Sequence, residues 1–137
     1  MLRTTVQDAT GAPVVLVDSV SSLDVDDRGA VAVTGSHGGS SSAEWGTRFL
    51  PGLIFFNDAG MGKDRAGAAA LDLLDAGAIA CAVVDHNTGR IGDADDTWRH
   101  GVVSAVNRAA AAGGLTAGQT VRAAAEAWHT SGVSAGR

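Results

Sequence analysis

The stretch VAVTGSHGGSSSAEWG, residues Val31–Gly46, decides the fold. An apolar run stops at Gly35 and gives way to serines, a histidine and a pair of glycines. The sequence SSAE then matches a capping box, with Ser41 as the N-cap and Glu44 bonding back to it. We expect a helix to begin there and to stop near Leu50, which precedes a proline. A strand, a glycine-rich loop and a helix in this order are typical of an α/β fold.

Apolar runs of this kind predict four strands in all, with helices between and after them. The runs are continuous rather than alternating, as expected of strands covered on both faces. The predicted strands are Pro13–Asp18, Ala30–Thr34, Gly52–Asn57 and Ala78–Asp85. Three further helices are predicted from apolar faces. The first has Ala66, Ala70, Leu73 and Leu74 on its face and ends at Gly77, and the second has Trp98, Val102, Ala105 and Ala109 and ends at Gly113 and Gly114. The last begins after a capping pattern at Thr116–Gln119 and has Val121, Ala124, Ala125 and Trp128 on its face.

The fold class that follows is α/β, a small three-layer domain with a largely parallel four-stranded sheet flanked by helices. Residues 19–29 are too few for the usual helical crossover between the first two strands, so we expect a hairpin there, which would make the sheet mixed. The 137 residues suit a single domain, 1–137, with 130–137 as a flexible tail. Alanine-rich helix faces, and tryptophans Trp45 and Trp98 that we expect to be exposed, predict a homo-oligomer.

Composition and charge exclude several classes of protein. Apolar residues make up 45% of the chain and charged residues 18%, which is typical of a globular protein and not of a disordered one. The formal net charge of −5 argues against a nucleic-acid partner. The first residues lack the apolar core of a signal peptide, and no apolar run approaches about 18 residues, so we expect a cytoplasmic protein without a membrane partner. The single cysteine, Cys81, lies in an apolar run and is expected in the core.

Three of the predicted strands are each followed by a polar loop rich in glycine: TGSHGGSSS, NDAGMGKD and DHNTGRIGD. In a parallel sheet such loops meet at the carboxyl edge, where ligands bind in a crevice at the point where the strand order reverses. We therefore predict a site for a small anionic metabolite at this edge. The predicted catalytic residues are Ser36, His37, Ser40, Lys63 and His86, and the predicted ligand-binding residues are Gly38, Gly39, Asn57, Asp58, Arg90 and Asp93.

The residue types of the first loop suit acyl transfer. Gly35, Gly38 and Gly39 are expected to take positive φ and to let the backbone approach a ligand closely. Free N–H groups at the start of the next helix would hold an anion or an oxyanion. Ser36 or Ser40 would then be the nucleophile.

Histidines and cations supply the remaining functions. Lys63 is the only lysine in the chain, and it would either bind a substrate carboxylate or phosphate or deprotonate a serine. His37 is a candidate base, and His86 is a candidate acid or base. Arg90 would clamp an anion through two hydrogen bonds or else pair with Asp93. Asp93 opens an acidic run that suits the N-terminus of the third predicted helix better than it suits a metal.

Common cofactor motifs do not occur in the sequence. NDAGMGKD is not a phosphate-binding P-loop, and Gly60, Gly62 and Gly67 do not form the dinucleotide fingerprint. The four histidines lack H-E-x-x-H spacing. We therefore predict neither a metal nor an organic cofactor.

Three functions stay open at the level of sequence. A hydrolase would attack an amide or ester of an anionic metabolite with a Ser/His/Lys site on these loops. A non-catalytic module, or a small subunit of a larger enzyme, would bind the metabolite through the same loops. A lyase or isomerase would use Lys63 to shuttle protons or to form a Schiff base. The hydrolase is the favoured interpretation.

Overall fold

Six strands form one mixed sheet in the order β1-β2-β3-β4-β5-β6 in the computed structural model, which describes residues 2–131. The strands are β1 Arg3–Gln7, β2 Pro13–Val17, β3 Val31–His37, β4 Leu53–Asn57, β5 Ala80–Val84 and β6 Val103–Val106. The helices are α1 Ser40–Phe49, α2 Ala69–Asp75, α3 Ala94–His100, α4 Arg108–Ala112 and α5 Val121–Thr130. The predicted α/β class is confirmed, whereas the predicted count of four strands is wrong.

The centre of the sheet is parallel and its two edges are antiparallel. Strands β2 to β5 run parallel to one another, and β1 and β6 pair antiparallel to β2 and β5. Every residue of β4 and β5 is buried, which explains why their sequences are continuous apolar runs. The sheet is mixed because of its edge strands. The predicted hairpin between β2 and β3 is wrong, because two short 3-10 turns, Val20–Ser22 and Val25–Asp27, complete a parallel crossover without an α-helix.

Helices cover both faces of the sheet, which gives the predicted three layers. On one face α1 and α2 pack on Ile54 and Phe56. On the other face α3, α4 and α5 pack on Phe55, with Trp98 and Trp128 in the same cluster. The chain therefore changes faces after β5, in the loop that follows that strand.

The third predicted helix is in fact a helix, a strand and a second helix. The N–H of Gly101 bonds to the Thr97 carbonyl and ends α3, and a valine-rich segment then pairs with β5 as β6. Asn107 caps α4 by accepting the N–H of Ala110. Trp98 is 7% exposed, so the exposure on which the homo-oligomer prediction relied is wrong for this residue. The homo-oligomer itself stays a prediction.

Helix termini differ from the predicted ones. Helix α1 begins at Ser40 with Gly39 as its N-cap, not Ser41, and ends as predicted, with Leu50 in the left-handed region. Leu73 is half exposed, although the apolar pattern placed it on the buried face of α2. The last helix is capped by Thr120 and includes Thr130, the first residue of the predicted tail; residues 132–137 of that tail lie outside the described residues.

The topology places the three glycine-rich loops at one edge of the sheet, as predicted, because β3, β4 and β5 are parallel. The strand order follows the chain and never reverses, so the expected crevice at a reversal of strand order does not exist. Among residues 2–131 no helix combines the length and apolar character needed to cross a membrane.

Candidate functional site

The glycines of the loop after β3 pack against the chain itself. Gly38 donates its N–H to the Asn57 carbonyl, and its own carbonyl accepts the N–H of Ala70. A Cβ on Gly38 would lie 2.6 Å from the Gly67 carbonyl oxygen. The expected positive φ is wrong for Gly35, Gly38 and Gly39, since none of them adopts it.

Two of the predicted catalytic side chains of this loop make local hydrogen bonds. The Ser36 hydroxyl accepts the N–H of Val20 at 2.9 Å and so holds the crossover from β2. The Nδ1 atom of His37 accepts the N–H of Gly39 at 3.1 Å. A neutral His37 ring therefore carries its proton on Nε2, where it is a donor rather than a base. Ser40, the first residue of α1, is exposed and lines a shallow pocket together with His37.

Lys63 lines no pocket together with the predicted catalytic histidines. It is exposed and lines neither the pocket beside His37 nor the pocket beside His86. It follows a run of four residues with positive φ, 59–62, and precedes two more, Asp64 and Arg65. Backbone strain of this kind is often found at functional loops. A catalytic role for Lys63 stays a prediction.

Asp58 is a buried carboxylate at the end of β4. Its Oδ1 atom accepts the N–H groups of Gly60 at 2.8 Å and of His86 at 3.2 Å, and its Oδ2 atom accepts the Ser104 hydroxyl at 2.7 Å. Burial alone would raise the pKa of Asp58, but these hydrogen bonds and the nearby imidazole outweigh burial and hold the pKa below its usual range. Asp58 is therefore a fixed negative charge.

His86 lies between two carboxylates at the carboxyl edge. Its Nδ1 atom is 3.3 Å from Oδ1 of Asp58 and 3.6 Å from Oδ1 of Asp85. The His86 side chain is 48% exposed and that of Asp58 only 6%, so a buried acid backs an accessible imidazole. Such a group can take a proton from water. Ligand atoms of the same three residues also lie within 4.8 Å of one another, close enough for one cation.

The pocket beside His86, which we call the His86 pocket, is open and measures about 560 Å³. Asn57 is buried at its base, where it donates to the Gly89 carbonyl and accepts the N–H of Ala59. Arg90 is exposed at its rim, and among residues 2–131 its guanidinium has no partner. The lining residues are Asn57, Ala59, His86, Asn87, Thr88, Gly89, Arg90, Ile91 and Asp96.

Asp93 is a helix cap in this structure. Its carboxylate accepts the N–H of Asp96 at 2.9 Å and so caps α3, as its place at the start of the acidic run predicted. The alternative ion pair between Arg90 and Asp93 does not form, which leaves the guanidinium available to an anion. Of the predicted site residues, His86, Asn57 and Arg90 line one pocket, and Oδ1 of Asp58 lies 3.3 Å from Nδ1 of His86.

Sequence analysis missed two residues of this site, Asp85 and Ser104. Asp85 stood at the end of a predicted strand, and Ser104 stood inside a predicted helix. The signal for Asp85 is the register of the sheet: Asn57 pairs with Val84, so Asp58 and Asp85 follow neighbouring strand ends. Ser104 reaches Asp58 from the antiparallel strand β6.

Comparison of the chain with family models, with curated proteins and with solved structures found no match.

Proposed function

We propose that this protein is a small-molecule hydrolase that cleaves an ester or amide of an anionic metabolite in the His86 pocket. One observation carries the proposal: the accessible imidazole of His86, next to buried Asp58, lines the same pocket as Arg90, whose guanidinium has no partner within residues 2–131. The guanidinium would bind the negative group of the substrate through two parallel hydrogen bonds. His86, next to Asp58, would activate the attacking group by taking a proton from it.

Water is the nucleophile in this proposal. Within the described part of the chain, no serine lines the His86 pocket, and the hydroxyl of its one threonine, Thr88, donates to the Asp85 carbonyl. The oxygen of water bonds to the carbonyl carbon, and the bond from that carbon to the leaving oxygen or nitrogen breaks. One hydrogen of the water stays on the new acid before it ionises, and the other goes to the leaving alcohol or amine. The reaction needs no further reactant.

The test compares two chromogenic esters, mono-para-nitrophenyl succinate, which carries a carboxylate, and para-nitrophenyl acetate, which does not. We expect the protein to prefer the succinate ester. Arg90→Met should lower kcat/KM for that ester by about 10- to 100-fold, since a charge-assisted hydrogen bond contributes about 1.5–3 kcal/mol. The same change should leave the acetate ester almost unaffected. His86→Gln should lower the rate on both esters by about 100-fold or more.

Matched controls come from the same chain. Arg28 is exposed at the amino edge of the sheet, and His100 is exposed in the last turn of α3. Arg28→Met and His100→Gln should behave as wild type. Wild-type activity in His86→Gln would contradict the proposal. Tight retention of succinate without turnover of either ester would identify a binding module instead.

A further inference from the structure

One imidazole nitrogen, Nδ1 of His86, faces the carboxylates of Asp58 and Asp85. A single hydrogen on Nδ1 can serve only one of the two oxygens, which lie 3.3 Å and 3.6 Å away on Asp58 and Asp85. The other carboxylate then accepts no hydrogen bond from the ring, and two negative groups are held near each other. A cation at the centre would bond to all three atoms at once.

The spacing of these atoms suits a tetrahedral ion. Zinc bonds to histidine nitrogen and carboxylate oxygen at about 2.0–2.2 Å, so the edges of its tetrahedron are about 3.4 Å long. The separations of 3.3 Å and 3.6 Å bracket this value, and the ligand atoms of Asp58, Asp85 and His86 lie within 4.8 Å of one another. Small rotations of the two more exposed side chains, Asp85 and His86, would close the site.

Each carboxylate is already held by the surrounding chain. The Ser104 hydroxyl fixes Oδ2 of Asp58 at 2.7 Å, and the N–H of Asn87 donates to Oδ1 of Asp85 at 2.9 Å. Metal-binding carboxylates are usually oriented by outer hydrogen bonds of this kind. The residues also come from the ends of β4 and β5, with Ser104 on β6, so adjacent strands fix their spacing.

We propose that Asp58, Asp85 and His86 bind one zinc ion. Three protein ligands would leave the fourth position of a tetrahedral zinc to water, and zinc lowers the pKa of such a water to about 7. The role of the ion rests on the proposed hydrolase, since zinc-bound water would be its nucleophile. Binding of the ion does not depend on that function.

Calorimetric titration of the chelator-treated, full-length protein with zinc chloride tests the proposal. We expect one ion per chain. Asp85→Asn should weaken binding by about 100-fold or more, because it removes a ligand, and Ser104→Ala should weaken it by about 10- to 100-fold. Asp95→Asn is the matched control: Asp95 is a half-exposed aspartate paired with Arg99, outside the cluster, and its loss should change nothing. Circular dichroism of each variant confirms that it is folded.

Two results would overturn the proposal: wild-type protein that binds no zinc, or Asp85→Asn protein that binds zinc as tightly as wild type. Assays of ester hydrolysis show whether the zinc proposal or the hydrolase proposal has failed. A protein that binds no zinc but loses hydrolysis in His86→Gln is a hydrolase with an imidazole base. A protein that binds zinc and hydrolyses neither ester has the metal site without the proposed activity.

Discussion

Gly38 fixes the loop after β3 at the scale of a single residue. Its N–H and carbonyl bond to Asn57 and Ala70, and a Cβ would meet the backbone oxygen of Gly67 at 2.6 Å. This oxygen belongs to the backbone, so it cannot move away as cheaply as the end of a flexible side chain. We expect Gly38→Ala to lower the free energy of unfolding by about 1–3 kcal/mol, the usual cost of overpacking. Urea unfolding followed by tryptophan fluorescence measures this.

Gly77→Ala provides the control for Gly38→Ala. A Cβ on Gly77 would have its closest contacts at 3.7 Å and 3.8 Å, which are ordinary packing distances, and its φ is not positive. This variant should be as stable as wild type or slightly more stable. Equal stability of the two variants would mean that Gly38 is not a packing glycine and that its predicted contact with a ligand should be tested instead.

Asn107 joins three elements, and it shows what one side chain does for element packing. Its Oδ1 atom accepts the N–H groups of Cys81 and Ala110, and its Nδ2 atom donates to the carbonyls of Leu71 and Ile79. These contacts link α4 to β5, to α2 and to Ile79, which lies between α2 and β5. Asn107→Ala would leave several buried backbone groups unpaired, each costing about 1–3 kcal/mol.

We therefore expect Asn107→Ala to reduce the free energy of unfolding by about 3 kcal/mol or more. Asn87 is exposed, and its side chain has no hydrogen bond among the described residues, so Asn87→Ala should change stability by less than about 0.5 kcal/mol. Thermal and urea unfolding of both variants measure the difference. A loss of under about 1 kcal/mol in Asn107→Ala would show that water replaces these bonds.

The sequence predicts the central elements and fails at the edges for a physical reason. Strands β2 to β5 are covered on both faces, so burial imposes continuous apolar runs that are visible in the sequence. Strand β1 is largely exposed, and β6 has only four residues in a segment whose apolar spacing also matches a helix. Pairing with β5 decides the conformation of β6, and that pairing is not a local property.

Some residues of the candidate site could be predicted from the sequence, and others could not. The parallel centre of the sheet is enough to place His86, Asn57 and Arg90 at one edge, since loops after parallel strands meet there. The proximity of Asp58 to Asp85, and the hydrogen bond that Asp58 accepts from Ser104, depend on the register of three strands, which the sequence does not specify. Hydrogen bonds also show that Ser36 and Asp93 hold the local chain.

Two buried carboxylates secure the β1 edge and make the whole molecule sensitive to acid. Asp27 accepts two hydrogen bonds from the Arg3 guanidinium, and Asp8, in the β1–β2 turn, contacts His129 of α5. Burial alone would raise the pKa of both aspartates, but hydrogen bonds from Arg3 to Asp27, and from Thr10 and His129 to Asp8, outweigh burial and lower it.

An aspartate whose pKa is lower in the folded state than in the unfolded state stabilises the fold at any pH above the unfolded pKa, which is about 4. This stabilisation is lost as the pH falls from there through the pKa of the folded state. We expect these two groups to leave the free energy of unfolding constant from neutral pH to about pH 5, and to make it decrease as the pH is lowered further. Asp27→Asn should be less stable at neutral pH and should lose less on acidification. The exposed ion pair between Asp95 and Arg99 offers the control, so the stability of Asp95→Asn should depend on pH as that of wild type does. Parallel curves for wild type and Asp27→Asn would contradict this assignment.

The strand order, which follows the chain from β1 to β6, also bears on how the protein folds during synthesis. Each new strand pairs with the strand made just before it, so only one connection has to close at each step, and the entropy cost of closure stays small. Contacts between neighbours along the chain favour fast folding. The sheet can therefore grow one strand at a time as the chain leaves the ribosome, and only its growing edge waits for a partner.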